Sequence, residues 1–178
     1  MEIDVGCFYF IKDSFFDIID DPELMKNKEN GNKRPCYYCF KSEKYDDIIW
    51  FVPVSTKVEK YQKIYNKKIE KQIKLGKNPS IDTIVFGNIA NTYSVFLIQN
   101  MFPVTLEYIE CPYIKNKVVI RVSNKLKTEI IYKANKVLIL YERGMKNIVF
   151  PDIDNILKKS FILEIFTKKN WHTNETIV

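Results

Sequence analysis

Residues Gly31–Lys60 read GNKRPCYYCFKSEKYDDIIWFVPVSTKVEK. Two runs, RPCYYCFK and IIWFVPV, are rich in the aromatic and β-branched residues that suit a pleated strand. SEKYDD between them is a hairpin-sized connection. Pro35 has no N–H for a ladder, so it belongs at the start or edge of the first strand. From Thr56 to about Leu75 the period changes. Tyr61, Ile64, Tyr65, Ile69 and Ile73 recur every three to five residues, which predicts a helix, and Gly76 is its stop.

The flanking sequence adds further short elements. In CFYFIKDSFFDIID, residues 8–10 read as a strand. A helix follows from Asp13 or Ser14 as cap, with Phe15, Ile18 and Ile19 on one face. DDPELMKNKENGNK is a polar loop. TIVFG and SVFLIQ are strands around the turn NIANTY, and NMFPVT and YIECPYI are short extended pieces. One helix is expected within about 117–142, ending at Gly144. Another runs from Asp152 to about Thr167, capped by Asp152 or Asp154. This order predicts an α+β fold: a small SH3-like antiparallel β-barrel with added helices packed on it. One domain covers 1–178, with a barrel core of about 1–112, a basic helix at 57–75 and C-terminal helices within 117–167.

The chain has 178 residues, of which 46% are hydrophobic and 14% aromatic, enough for a proper core. Its net charge is +6, and Lys57–Lys77 alone carries eight lysines against two glutamates, the whole excess. A local surplus of one sign describes a partner, here a polyanion, or simply a solvated face. Lys60, Lys63, Lys67, Lys71 and Lys74 step by three or four along that helix. No apolar run reaches the roughly 18 residues that span a membrane, and the opening MEIDVGCFYF is not a secretory leader. A reduced, cytoplasmic protein with free cysteines is expected.

Several chemistries are disfavoured. Cys36 and Cys39 have metal-ligand spacing, but strand alternation sends them to opposite faces. His172 is the single histidine, which excludes a two-histidine acid–base mechanism and argues against a Ser-His-Asp triad. The acidic pairs at 20/21, 46/47 and 152/154 sit in loops or at a helix start, where capping accounts for the last. No metal and no cofactor are expected.

VSTKVEKY remains. Ser55 and Thr56 before a helix read most simply as an N-cap. Capping needs one hydroxyl, however, and here there are two, followed by Lys57. If the two strands pair, register decides whether Arg34 and Lys33 reach Ser55. Hydroxyls and a guanidinium converging on a helix N-terminus make a phosphate or oxyanion site.

The segments KRPCYYCF and IIWFVPVST resemble the MazF/Kid/PemK toxin ribonucleases. The resemblance is closer to the type III toxin–antitoxin endoribonucleases, the ToxN, AbiQ and CptN group. It rests on Phe8-Tyr9 opening the first strand, on Pro53-Val54-Ser55-Thr56, on the lysine-rich helix after the hydroxyls, and on Ile98–Val104, IQNMFPV. The wording SVFLIQNMFPVT is most similar to the CptN branch. The resemblance implies an SH3-like barrel whose members cleave RNA without a metal. It also implies inhibition by a repeat-encoded RNA pseudoknot, toxin and RNA alternating in a closed assembly. mRNA would be the substrate. On this reading Arg34, Ser55, Thr56 and Lys57 are catalytic. Arg34 neutralises the phosphorane, the hydroxyls donate to a phosphoryl oxygen, and Lys57 or Lys33 moves protons. Tyr9 and Tyr38 would stack or orient a base, and Lys33, Lys60, Lys63, Lys67, Lys71 and Lys74 would bind RNA. The alternatives are a MazF-like toxin held by a protein antitoxin and a non-catalytic RNA-binding module.

Overall fold

The computed structural model describes residues 3–29, 31–45 and 47–160. In chain order, Phe8–Ile11 (β1) leads into Asp13–Ile19 (α1). Lys28–Glu29 (β2) and Asn32–Lys33 (β3) form a small hairpin. Cys36–Lys41 (β4) and Ile48–Ser55 (β5) form the long hairpin that the sequence predicts, and Val58–Lys74 (α2) follows. Ile84–Ile89 (β6), Thr92–Leu97 (β7), Phe102–Thr105 (β8) and Ile109–Pro112 (β9) come next. Ile114–Lys115 (β10), Val118–Val119 (β11) and Asn124–Glu142 (α3) follow, and residues 153–160 are helical (α4).

The main sheet runs β6-β7-β5-β4-β1-β9, with β8 also paired to β5. All its pairings are antiparallel. Along one edge β5 pairs with β4. Along the other it pairs with β8 through residues 48–51 and then with β7 through residues 54–55. The sheet therefore forks at β5. No pairing joins β6 to β9, and the expected closed SH3-like barrel is not found among the described residues.

All eight residues of β5 are buried. Trp50, Val52 and Val54 enter one apolar cluster, together with Ile130, Ala134 and Val137 of α3. Ile49 and Phe51 enter another, with Phe15 and Ile19 of α1 and Ile156 of α4. The period-2 alternation of a strand thus feeds both faces of the sheet. Ile18, expected on the apolar face of α1, faces solvent instead. Asp13 is not a cap, since Lys12 holds that position without a side-chain bond. Its carboxylate takes Lys28 Nζ at 2.6 Å.

The helix expected within about 117–142 starts late in that range, at Asn124, where Ser123 Oγ accepts from Leu126 N–H at 3.3 Å. The preceding residues form the β10–β11 hairpin, which turns on Asn116 and Lys117, both left-handed at φ 51° and 63°. Asp152 caps α4 by accepting from Asn155 N–H at 3.0 Å. The predicted continuation to Thr167 lies outside the described residues, as does His172. Gly87 on β6 lets α3 approach closely: a Cβ there would lie 2.3 Å from Leu126 Cδ2. No described helix is long and apolar enough to cross a membrane.

Helix α2 covers the β6–β7 end. It has no fully buried residue. Tyr61, Ile64, Tyr65 and Ile69 pack on Ile81, Ile84, Val95 and Leu97, while Ile73 is exposed. One lysine points inward: Lys68 Nζ donates to Thr83 Oγ1 at 2.8 Å and to Gln99 Oε1 at 2.7 Å. Burial pushes its pKa below the usual lysine range. The Gln99 main chain extends this node, its N–H donating to Thr83 O at 3.1 Å and its carbonyl accepting from Phe150 N–H at 2.8 Å. The glutamine of IQNMFPV is thus a structural junction tying α2, the residue before β6 and the segment after α3.

Lys67 and Lys68 should therefore differ sharply. Lys68→Met strands the buried Gln99 oxygen and should cost about 1–3 kcal/mol in urea denaturation. Lys67→Gln, on the solvated face, should stay within about 0.5 kcal/mol of the parent.

Candidate functional site

The β4–β5 register places Cys36 opposite Pro53. Two residues further out on each chain stand Arg34 and Ser55, at the open end of the hairpin. Arg34 is fixed from behind, since its N–H donates to Asn27 O at 2.7 Å. Ser55 is 7% exposed and opposite Val95 of β7. Its Oγ accepts from Lys57 N–H at 3.2 Å. That bond uses an oxygen lone pair and leaves the hydroxyl proton for another acceptor.

The capping reading of Ser55 and Thr56 does not hold. The N-cap of α2 is Lys57, which makes no side-chain cap bond. Strand β5 runs through Ser55 to its partner Val95, so the hydroxyls arrive too early in the chain to cap. They open instead into a cavity of about 540 Å³, lined also by Lys33, Arg34 and Lys57. The convergence that the sequence posed as a question of register is therefore present.

The cavity has a second wall absent from the sequence reading, formed by Ala90, Thr92 and Ser94 of the β6–β7 hairpin and by Tyr113 and Lys115. The only sequence signal for it was the turn NIANTY, which brings Thr92 and Ser94 to the same end of the sheet. Ala90 and Asn91 take left-handed φ values of 47° and 68°, as a two-residue hairpin turn requires. Among the described residues that line it there is no carboxylate, and four cations stand there, Lys33, Arg34, Lys57 and Lys115. Such a site favours a polyanion held by charge, forked hydrogen bonds and hydroxyls.

Lys33 is ion-paired with Glu110, and that hydrogen bond holds its pKa above the usual lysine range. A raised pKa is the wrong direction for a lysine that must give and take protons near neutrality. Of the two lysines considered for that step, Lys57 is the better placed, next to the hydroxyls on the cavity wall.

Tyr9 and Tyr38 are not at this surface. They are 3% and 5% exposed, their ring centroids lie 6.3 Å apart, and both pack on Phe51. Tyr9 Oη accepts from Asp4 N–H at 2.7 Å. A base cannot stack on rings already enclosed, so both are core residues. Lys60, Lys63, Lys67, Lys71 and Lys74 are all exposed on α2, which starts at the cavity rim, so they form the charged face that their spacing predicts. Cys36 and Cys39 are buried free thiols in clusters on opposite sides of the sheet. Burial pushes the Cys36 thiol up to about 12. No three His, Cys, Asp or Glu side chains among the described residues are grouped to hold a metal ion. Asp154 pairs with Lys146 at 2.7 Å, and Asp21 accepts from the N–H groups of Glu23 and Asp152. Asp46 lies outside the described residues.

No protein-family model matches the chain, and no curated protein is similar to it at a significant level. Solved structures are similar. One is ToxN, from work on bacterial type III toxin–antitoxin systems and selective toxin inhibition by a non-coding RNA pseudoknot. It superposes with a TM-score of 0.61 at 14% identity, over 90% of this chain and 99% of that one. Another is AbiQ, a lactococcal anti-phage endoribonuclease of a type III toxin–antitoxin system, with a TM-score of 0.58 at 17% identity over 89% and 97%. The chain shares the fold of these two toxins across nearly its whole described length.

Proposed function

We propose that this chain is the metal-independent endoribonuclease toxin of a type III toxin–antitoxin system, inhibited by direct binding of a pseudoknot antitoxin RNA. The observation that carries the reading is the cation-rich cavity in which Arg34, Ser55, Thr56 and Lys57 meet at the start of a lysine-lined helix. The fold shared with ToxN and AbiQ supports it. Placement in the CptN branch rests on the charged segment 57–77 and on SVFLIQNMFPVT.

The chemistry needs little from the protein, because RNA carries its own nucleophile. The 2′-OH attacks the adjacent phosphorus, the P–O5′ bond breaks, and the products are a 2′,3′-cyclic phosphate and a free 5′-OH. The protein aligns the attack and stabilises charge on the phosphorane. The Arg34 guanidinium forks onto two non-bridging oxygens. The Ser55 hydroxyl, with its lone pair engaged by Lys57 N–H, directs its proton to a phosphoryl oxygen, and Thr56 supports it. Lys57 moves the proton at the 2′-OH or the 5′-oxygen. The α2 lysines hold the flanking phosphates. The same charge serves antitoxin RNA and mRNA alike, so the inhibitor competes for the groove, and toxin and RNA alternate in a closed assembly. The site works in the cytoplasm, where both RNAs are made.

Three tests follow from this reading. Ser55→Ala should lower the cleavage rate by about 10²–10³ and abolish growth inhibition, with thermal stability and RNA affinity close to the parent. An unfolded variant would make Ser55 chiefly structural, and a toxic one would make its hydroxyl dispensable. Cleavage should persist in excess EDTA and leave cyclic phosphate and 5′-OH ends. A need for added Mg²⁺, or 5′-phosphate products, would overturn the mechanism. Binding without any cleavage would instead make the chain an RNA-binding module, and co-purification of a small acidic protein would point to a MazF-like arrangement. Finally, replacing Lys63, Lys67 and Lys71 with Gln should lower the slope of log K against log[salt] by roughly 2 for single-stranded RNA, at about 0.7 per lost contact.

A further inference from the structure

Residues 111–128 carry Lys115, Lys117, Arg121, Lys125 and Lys127 and no carboxylate. They make a second basic segment, hidden in the whole-chain sum by acidic residues elsewhere. Part of it forms the β10–β11 hairpin, which is separate from the main sheet and stands beside the cavity through Lys115.

Three observations single the hairpin out. Its register pairs Lys115 with Val118, so the two side chains share a face. Because Lys115 lines the cavity, that is the cavity face, and Val118 is 63% exposed on it. Second, among the described residues neither Lys115 nor Lys117 has an ion-pair partner, whereas Lys28, Lys33, Lys133, Lys136 and Lys146 are all paired. Third, Lys117 occupies a left-handed turn position at φ 63°, where glycine after Asn116 would make the most favourable two-residue turn. A charge stands at the tip where conformational preference asks for Gly.

Resting on the RNA-cleaving reading, we propose that the β10–β11 hairpin is a second RNA-binding arm, and that single-stranded RNA crosses the cavity from this arm to α2. The two arms leave the cavity from Lys115 and from Lys57. RNA with its scissile phosphate between them therefore places the phosphates on one side of the cut against Lys115 and Lys117, and those on the other side against Lys60, Lys63 and Lys67. Val118 offers an apolar surface to a ribose or base on the hairpin side. The unpaired ammonium groups supply the charge complementarity that names RNA as the occupant of this surface.

Lys117→Gly provides the discriminating test, since it removes a charge while making the turn easier to form. The pair Lys115→Gln with Lys117→Gly should keep or raise the melting temperature. It should weaken binding of a mixed-sequence, 2′-O-methylated single-stranded RNA by about tenfold near physiological salt and lower the salt slope by roughly 1.4. With RNAs truncated toward the mapped cleavage site from one end, the hairpin pair should lose its effect while Lys63→Gln with Lys67→Gln keeps its own. Truncation from the other end should reverse this. An unchanged slope in the hairpin pair, with the parent binding RNA normally, would overturn the arm and leave the ribonuclease reading intact. Equal sensitivity of both pairs to both truncations would overturn the crossing path. If the parent protein neither binds nor cuts RNA, the underlying reading fails with it.

Discussion

Strand β5 is buried along its whole length. Its alternate residues enter two apolar clusters, and its two edges are taken by β4 on one side and by β8 and β7 on the other. A strand buried in this way must be covered on both faces. That requirement places α3 over one face and α1 with α4 over the other. It also forces the fork in the sheet, because no single neighbour spans the whole outer edge. The cavity lies where that arrangement ends. Past Pro53 the β4 edge is vacated, and the chain entering β4 brings Arg34 across from Ser55.

The same constraint explains which parts of the fold were legible. The β4–β5 hairpin, the β6–β7 hairpin and α2 were readable because each has a clear period and a turn or stop residue to bound it. The barrel was not. A list of antiparallel strands says which can pair, but not whether the sheet curls closed or forks, and that depends on how β5 shares its outer edge. The β10–β11 hairpin is not legible as a hairpin because its turn uses Asn116-Lys117, and a lysine gives no signal of a left-handed position. Tyr9 and Tyr38 were misplaced for a related reason. CYYCF has no polar residue on either alternate set, which is the signature of a strand enclosed on both faces, and that leaves no ring for a base.

The site itself was half legible. Arg34 and Ser55 could be named from the sequence, but their meeting depended on a register that only the pairing of Cys36 with Pro53 supplies. The wall formed by Thr92, Ser94, Tyr113 and Lys115 was invisible, since it comes from chain segments distant in sequence with unremarkable residues. Among the lysines of α2, spacing found the stripe but could not find the exception. Lys68 differs from its neighbours only in what lies beneath it, Thr83 and Gln99, and those are contributed by the residue before β6 and the segment after β7.

The burial of β5 also bears on how such a site can be switched off. Segments with many buried contacts and paired edges open at free energies near that of global unfolding, whereas regulated loops and lids come from the least protected parts of a structure. Ser55 is buried and paired with Val95 along its β7 edge, so moving its hydroxyl away from the cavity means breaking strand pairing. A body that fills the cavity, or competes for the cations around it, can come and go without the protein having to refold.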